Sequence, residues 1–213
     1  MAEQPHFDDA FRAELERLFV WRRDVRRFEP APVPEAAMAT LIASANAAPS
    51  VGLSQPWRLV RVRNAARRLA VRGIFEHCNA DALAAQPEDR AGLYARLKLS
   101  GLDEAPEHLA VFTDEGTAKG GGLGRATMPE TLGYSAVLAI HTLWLAAAAR
   151  GLGVGWVSIL DPEAVARALD VPAGWRLTGY LCIGYPSQPS DTPELERAGW
   201  ERRASVSDLL LER

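Results

Sequence analysis

Cysteine is scarce in this chain: Cys78 and Cys182 stand far apart and form no CxxC pair. That argues against a disulfide framework or a thiol-ligated metal ribbon, and a reducing compartment, the cytoplasm, is expected. Cys182 sits in the apolar run 180–183, where it reads as a small buried hydrophobe. Histidine is nearly as sparse. His6, His77, His108 and His141 show no ligand spacing with one another or with cysteine, so no metal site is expected. Neither sign of charge is in excess, since 24 Lys and Arg face 27 Asp and Glu. The two signs are interleaved, which leaves no broad electrostatic footprint for nucleic acid.

Other signatures are missing too. Residues 1–9 hold acids and no apolar core segment, so no secretory signal is expected. The GLGVG at 151–155 is GxGxG, not GxGxxG, and it follows a helical pattern where a dinucleotide fingerprint follows a strand. Lys119-Gly120 reverses the order of a phosphate loop, and no GxSxG elbow marks a serine hydrolase. One long apolar run exists, at 134–149. It carries Ser135, His141 and Thr142 and ends at Arg150-Gly151, which is short for a membrane span. A central helix explains it better. A helix apolar on all sides must be covered on all sides, and a second copy of the chain could supply part of that cover.

What is present reads as one domain over residues 1–213, with a proline- and charge-rich extended C-terminal tail from Tyr185. Phe11, Leu15, Leu18 and Phe19 recur at helical spacing after Asp8-Asp9, predicting an amphipathic helix over about 8–21. A second helix begins at Pro34, with Met38, Leu41, Ile42 and Ala45 as its inner stripe, and ends near Ala48 because Pro49 follows. Strands are expected at 57–63, 109–113, 154–160 and 175–184, with helices over 64–101 (broken near Pro87), 129–150 and from Asp161-Pro162. Helices alternating with a few short strands give an α+β or α/β class in three layers.

Two segments could carry chemistry. Arg22-Arg23-Asp24-Val25-Arg26-Arg27 ends the first helix. It is either a solvated basic end favoured by the helix dipole or a phosphate clamp of bidentate guanidinium groups. Asp24 within it either pairs with its neighbours or stands ionised near a ligand. The run APSVGLSQPW at 48–57 is an ordered turn entering a strand, whose amides and hydroxyls could also bind a heterocycle edge.

Together these segments resemble the FMN-dependent nitroreductase superfamily. The runs RRDVRRF (22–28), PSVGLSQPW (49–57), EAPEHLAVF (104–112), TMPETLGYS (127–135) and GLGVGWVSIL (151–160) are similar to its BluB-type 5,6-dimethylbenzimidazole synthases. The likeness spans most of the chain, about 22–202. It implies a nitroreductase-like three-layer α/β/α sandwich and a homodimer with long central interface helices. FMN would lie at two sites, each lined by both chains. The resemblance implies that Arg22, Arg23 and Arg26 hold the phosphate and ribityl end, with Val25 among them. Ser50 and Leu53 would reach the flavin from the partner chain, and Leu99 would belong to a lid over the ring. Arg202 would be the late phosphate ligand, with Arg203 as its rival. Asp24, where ordinary nitroreductases usually have serine, and Ser158 would be the catalytic pair.

The implied reaction consumes reduced FMN and dioxygen, with no metal, and yields 5,6-dimethylbenzimidazole, the lower ligand of vitamin B12, and erythrose 4-phosphate. A separate flavin reductase would supply the reduced FMN. Cleaving the ribityl chain requires removal of a proton near the ring, for which Asp24 could be the base. Two other readings compete. One is an NAD(P)H-dependent nitroreductase that retains FMN, and the other a non-enzymatic flavin-binding dimer.

Overall fold

A computed structural model describes residues 4–213. Its elements, in chain order, are α1 (Asp9–Trp21), α2 (Glu35–Asn46), β1 (Trp57–Arg61), α3 (Ala65–Ala84) and α4 (Glu88–Tyr94). β2 (Glu107–Asp114), α5 (Thr131–Ala148), β3 (Gly153–Val157), α6 (Pro162–Leu169), β4 (Trp175–Gly184) and α7 (Glu194–Arg197) follow. The four strands form one sheet in the order β1-β2-β4-β3, with every neighbouring pair antiparallel.

Alternation along the two middle strands sends side chains into two separate cores. Leu109, Val111, Leu181 and Ile183 pack with Met38 and Leu41 of α2 and with Ile140 and Leu143 of α5. Ala110, Phe112, Tyr180 and Cys182 pack on the opposite face with Val71 of α3 and Val165 and Leu169 of α6. β2 and β4 are thus covered on both sides, which is why they read as nearly unbroken apolar runs. Helices on both faces of an antiparallel sheet make the α+β class and the three-layer α/β/α sandwich. Each fully buried Leu, such as Leu41, Leu109 or Leu181, contributes about 2 kcal/mol through its removal from water.

Local chemistry sets the boundaries. The Asp8 carboxylate accepts the Phe11 amide at 2.8 Å to open α1, and Asn64 accepts the Arg67 amide at 3.1 Å to open α3. Asp161 accepts the amides of Glu163 and Ala164 at 2.9 and 3.0 Å, so α6 starts as the Asp-Pro pair predicts. That turn also shortens β3, which ends at Val157 where 154–160 was expected. Past its Val157–Tyr180 pair, β4 runs on to Trp175 without β3 beside it. α5 stops at Gly151 (φ +72°), where the Leu152 amide returns to the Ala147 carbonyl at 3.0 Å.

Two helices are incompletely covered. α5 buries Leu132, Ala136, Ile140, Leu143 and Ala147, but Tyr134, Val137, Leu138 and His141 form an exposed stripe on its other side. α1 forms where expected and caps as expected, yet none of its residues is buried; Phe11 and Phe19 are about half exposed. Ile42 of α2 is also exposed, so the inner stripe there is Met38, Leu41 and Ala45.

Candidate functional site

The basic segment leaves α1 and lies extended beside β3. Asp24 bridges Val154 in parallel, and the Val25 amide donates to the Val154 carbonyl at 3.1 Å. The glycines of GLGVG make this approach possible. A Cβ at Gly155 would fall 2.1 Å from the Val25 carbonyl oxygen, and one at Gly153 would fall 2.7 Å from Val25 Cγ2. The motif is therefore a docking groove for residues 24–26 at the sheet edge. Only Gly151 serves as a helix stop; the second and third glycines, which a helix stop does not need, are the signal for the groove.

Docking fixes the Asp24 carboxylate on both oxygens. Oδ1 accepts the Trp156 amide at 2.8 Å, and Oδ2 accepts Arg26 Nε at 2.8 Å. The side chain stays 32% exposed, so a ligand can still reach it. Arg26 is only 12% exposed, and its Nη1 donates to the Lys98 carbonyl at 2.9 Å. Ser158 lies just past the end of β3 and is exposed. It follows Trp156 by two residues, a step of roughly 7 Å in extended chain.

On the other side of Asp24 positive charge accumulates. The Arg22 guanidinium lies over the Trp144 ring at 4.8 Å, and Arg23 donates to the carbonyls of Asp191 and Arg22. Among the described residues neither has a carboxylate ion pair, whereas Arg27 pairs with Glu194 at 3.7 Å. Burial, and then the charge of Arg203, hold the Arg22 guanidinium below its ordinary pKa, with Asp24 partly opposing. Burial, Arg203 and Arg22 lower Arg23 in the same way, offset in part by Asp191 and Glu196. Three like charges converge on this face and Asp24, Asp191 and Glu196 offset them only in part, an arrangement that could receive an anion. Arg22, Arg23 and Asp24 line a cavity of about 360 Å³ with Trp144, Gly153 and Pro186. Of the two tail arginines, Arg203 is the one whose charge reaches this face. Arg202 is exposed, and its amide donates to Glu201.

Ser50 and Leu53 stand elsewhere. Ser50 Oγ accepts the Gln55 amide at 3.0 Å, and the Val51 amide donates to Ser135 Oγ at 3.0 Å, in the first turns of α5. Ser135 and Trp144 are nine positions apart on one helix, roughly 14 Å. Within one chain this turn and the arginine face are thus not brought together. The turn is also strained: Leu53 (φ +54°) and Gln55 (φ +44°) are left-handed without being glycine, and Leu53 is 69% exposed. Gly52 (φ +54°) has no room for a Cβ, which would sit 2.9 Å from the Leu123 carbonyl oxygen.

Leu99 is partly buried and follows Lys98, whose carbonyl Arg26 holds. The stretch before it is tied to the tail. Arg90 stacks on Trp200 at 4.1 Å and donates to its carbonyl at 2.9 Å, and Tyr94 meets the same ring edge-on at 6.0 Å. Trp144, Trp156 and Trp200 carry no sequence signal as parts of the site, whereas Lys98 lies in the expected lid segment around Leu99. The roles of the tryptophans come from packing between distant segments and leave no local pattern.

Known proteins place this sequence and fold in a lineage. Residues 19–185 match the nitroreductase family. The chain is 61% identical over 203 residues to a 5,6-dimethylbenzimidazole synthase of Rhodospirillum rubrum, covering 95% of this chain and 96% of that one. It is 50% identical over 196 residues to a 5,6-dimethylbenzimidazole synthase of Rhodobacter capsulatus, covering 92% and 95%. The crystal structure of oxidized iodotyrosine deiodinase bound to FMN and 3-iodo-L-tyrosine superposes with a TM-score of 0.70 at 27% identity, covering 83% of this chain and 91% of that one. A fold and a sequence that agree over this length have one reading: the chain belongs to the nitroreductase family, on the branch of the 5,6-dimethylbenzimidazole synthases.

Proposed function

We propose that this chain fragments reduced FMN with dioxygen, releasing 5,6-dimethylbenzimidazole and erythrose 4-phosphate, as a homodimer in the cytoplasm. The observation that carries the reading is the position of Asp24. Its carboxylate is fixed on both oxygens, stays open to a ligand, and sits beside an arginine face, bonded to the amide of Trp156 two residues before Ser158. A phosphate monoester suits three converging guanidinium groups, with Asp24 facing the same cavity. When bound, reduced FMN supplies both the electrons for dioxygen and the carbon skeleton of the product.

The chain's own residues do the rest. Arg22, Arg23 and Arg203 hold the phosphate, with Arg202 as the alternative ligand. Asp24 takes a proton from the substrate on the side away from the Trp156 amide, and its two fixed hydrogen bonds keep it oriented for that transfer. Ser158 hydrogen-bonds the ring, and the segment around Leu99 excludes water. Ser50 and Leu53 of a second copy complete the ring side, because their own chain holds them at the far end of α5. A flavin reductase supplies the substrate.

Mixing the protein with chemically reduced FMN in air and separating the products by chromatography tests this. 5,6-Dimethylbenzimidazole is expected in place of intact flavin. Quantitative recovery of FMN would reject the reading, and sustained NAD(P)H oxidation with a nitroaromatic acceptor would establish the reductase alternative instead.

A further inference from the structure

We propose that Arg26 is a latch that positions Asp24 and holds the Leu99 segment closed, and that it is not a phosphate ligand. This rests on reading the Arg22–Asp24 face as the FMN site. Arg26 differs from Arg22 and Arg23 in what it already touches. One edge of its guanidinium is taken by Asp24 Oδ2 at 2.8 Å, and Nη1 is taken by the Lys98 carbonyl at 2.9 Å. With its side chain 12% exposed, little of the group remains to meet an anion.

The same contact starts a closed circuit between two segments distant in sequence. The Lys98 ammonium donates to Glu104 Oε1 at 2.7 Å, and Glu104 Oε2 accepts the Phe28 amide at 3.0 Å. Desolvation opposes ionisation of Glu104, but the Lys98 ammonium and the Phe28 amide outweigh it and hold the carboxyl below its usual pKa range. Residues 98–104 are therefore pinned to residues 24–28 at both ends, by Arg26 at one and Glu104 at the other. Gly101 lets them close, because a Cβ there would fall 2.3 Å from the Phe28 ring.

The planar guanidinium is what joins the two functions. A planar guanidinium bonds a carboxylate and a carbonyl at once through donors held in fixed directions, whereas the donors of an ammonium rotate. Opening of residues 97–101 removes an acceptor from Arg26 and frees its hold on Asp24. The carboxylate is then fixed in its working orientation only when the segment is down. Positioning of the base and exclusion of water become one event.

Two measurements on the whole protein test this. The first is amide hydrogen exchange of residues 97–101 without ligand, which needs no flavin chemistry. Arg26→Gln should exchange there on the order of tenfold to a hundredfold faster than the parent, the effect of losing charge-assisted bonds. Arg26→Lys should lie between, since an ammonium cannot fork; it also serves should the Gln variant fail to fold. The second is the preference for FMN over riboflavin in direct binding. Arg26→Lys should retain it, whereas Arg22→Gln should lose it. Unchanged exchange at 97–101 would remove the latch. A loss of FMN preference equal to that of Arg22→Gln would make Arg26 a phosphate ligand after all. Absence of any flavin binding by the parent would instead defeat the site reading and leave the exchange result standing.

Discussion

At the scale of single residues, the proposed site separates charge that would bind from charge that would work. Arg22 and Arg23 have no carboxylate ion pair among the described residues, while Asp24 is held by two donors and still exposed. Asp24→Asn is expected to abolish 5,6-dimethylbenzimidazole formation, at least a hundredfold, while FMN binding by fluorescence titration persists. Undiminished product would take Asp24 out of the chemistry. Arg203→Gln should weaken FMN binding on the order of tenfold through one lost charged hydrogen bond, and Arg202→Gln should leave it near the parent; the reverse order would return the role to Arg202. The RRDVRR run was legible as a clamp, and Asp24 as its odd member. Which arginine does what was not, because Arg26 and Arg27 are claimed by Lys98 and Glu194, residues far away in sequence.

At the scale of elements, capping and periodicity did most of the work. Asp8, Asn64 and Asp161 open their helices with the side-chain hydrogen bonds their residue types favour. Legibility failed where an element depends on its neighbour. β3 is shorter than its apolar run, and GLGVG shapes a docking edge that no local rule describes. Two alanine substitutions separate the roles of its glycines. Gly151→Ala meets no atom within 4 Å and bears only the left-handed backbone penalty, about 1 kcal/mol. Gly155→Ala drives a carbon into the Val25 carbonyl and must push residues 24–26 off the strand, at about 3 kcal/mol or more. Thermal unfolding should rank them in that order, and only Gly155→Ala should lose FMN. Equal effects would mean that the docking groove does not govern the site.

For the whole molecule, the two cores predict a pH dependence. His108 is buried between the sheet and its helices, its Nδ1 2.9 Å from the Tyr180 hydroxyl, and burial pushes its pKa down to about 4. The unfolded chain, near 6.5, binds the proton more tightly, so stability is full above pH 6.5 and falls as pH drops toward 4. The loss is roughly 3 kcal/mol, and denaturant midpoints across that window should flatten in His108→Gln; an identical slope would exclude His108 as the source. The apolar stripe of α5 is exposed in the single chain, and, on the proposal that a second copy covers it, Leu138→Asp is expected to shift sedimentation toward monomer. The placement of Ser50 and Leu53 at one end of α5 and Arg22 to Asp24 near the other has a genetic consequence. On the proposed two-chain site, neither half can be repaired in cis, yet each can be lent in trans. A chain disabled at Asp24 and a chain disabled at the 50–53 turn, each silent alone, should on subunit exchange rebuild one intact site per mixed pair. Random reassortment would then restore about a quarter of the parental activity.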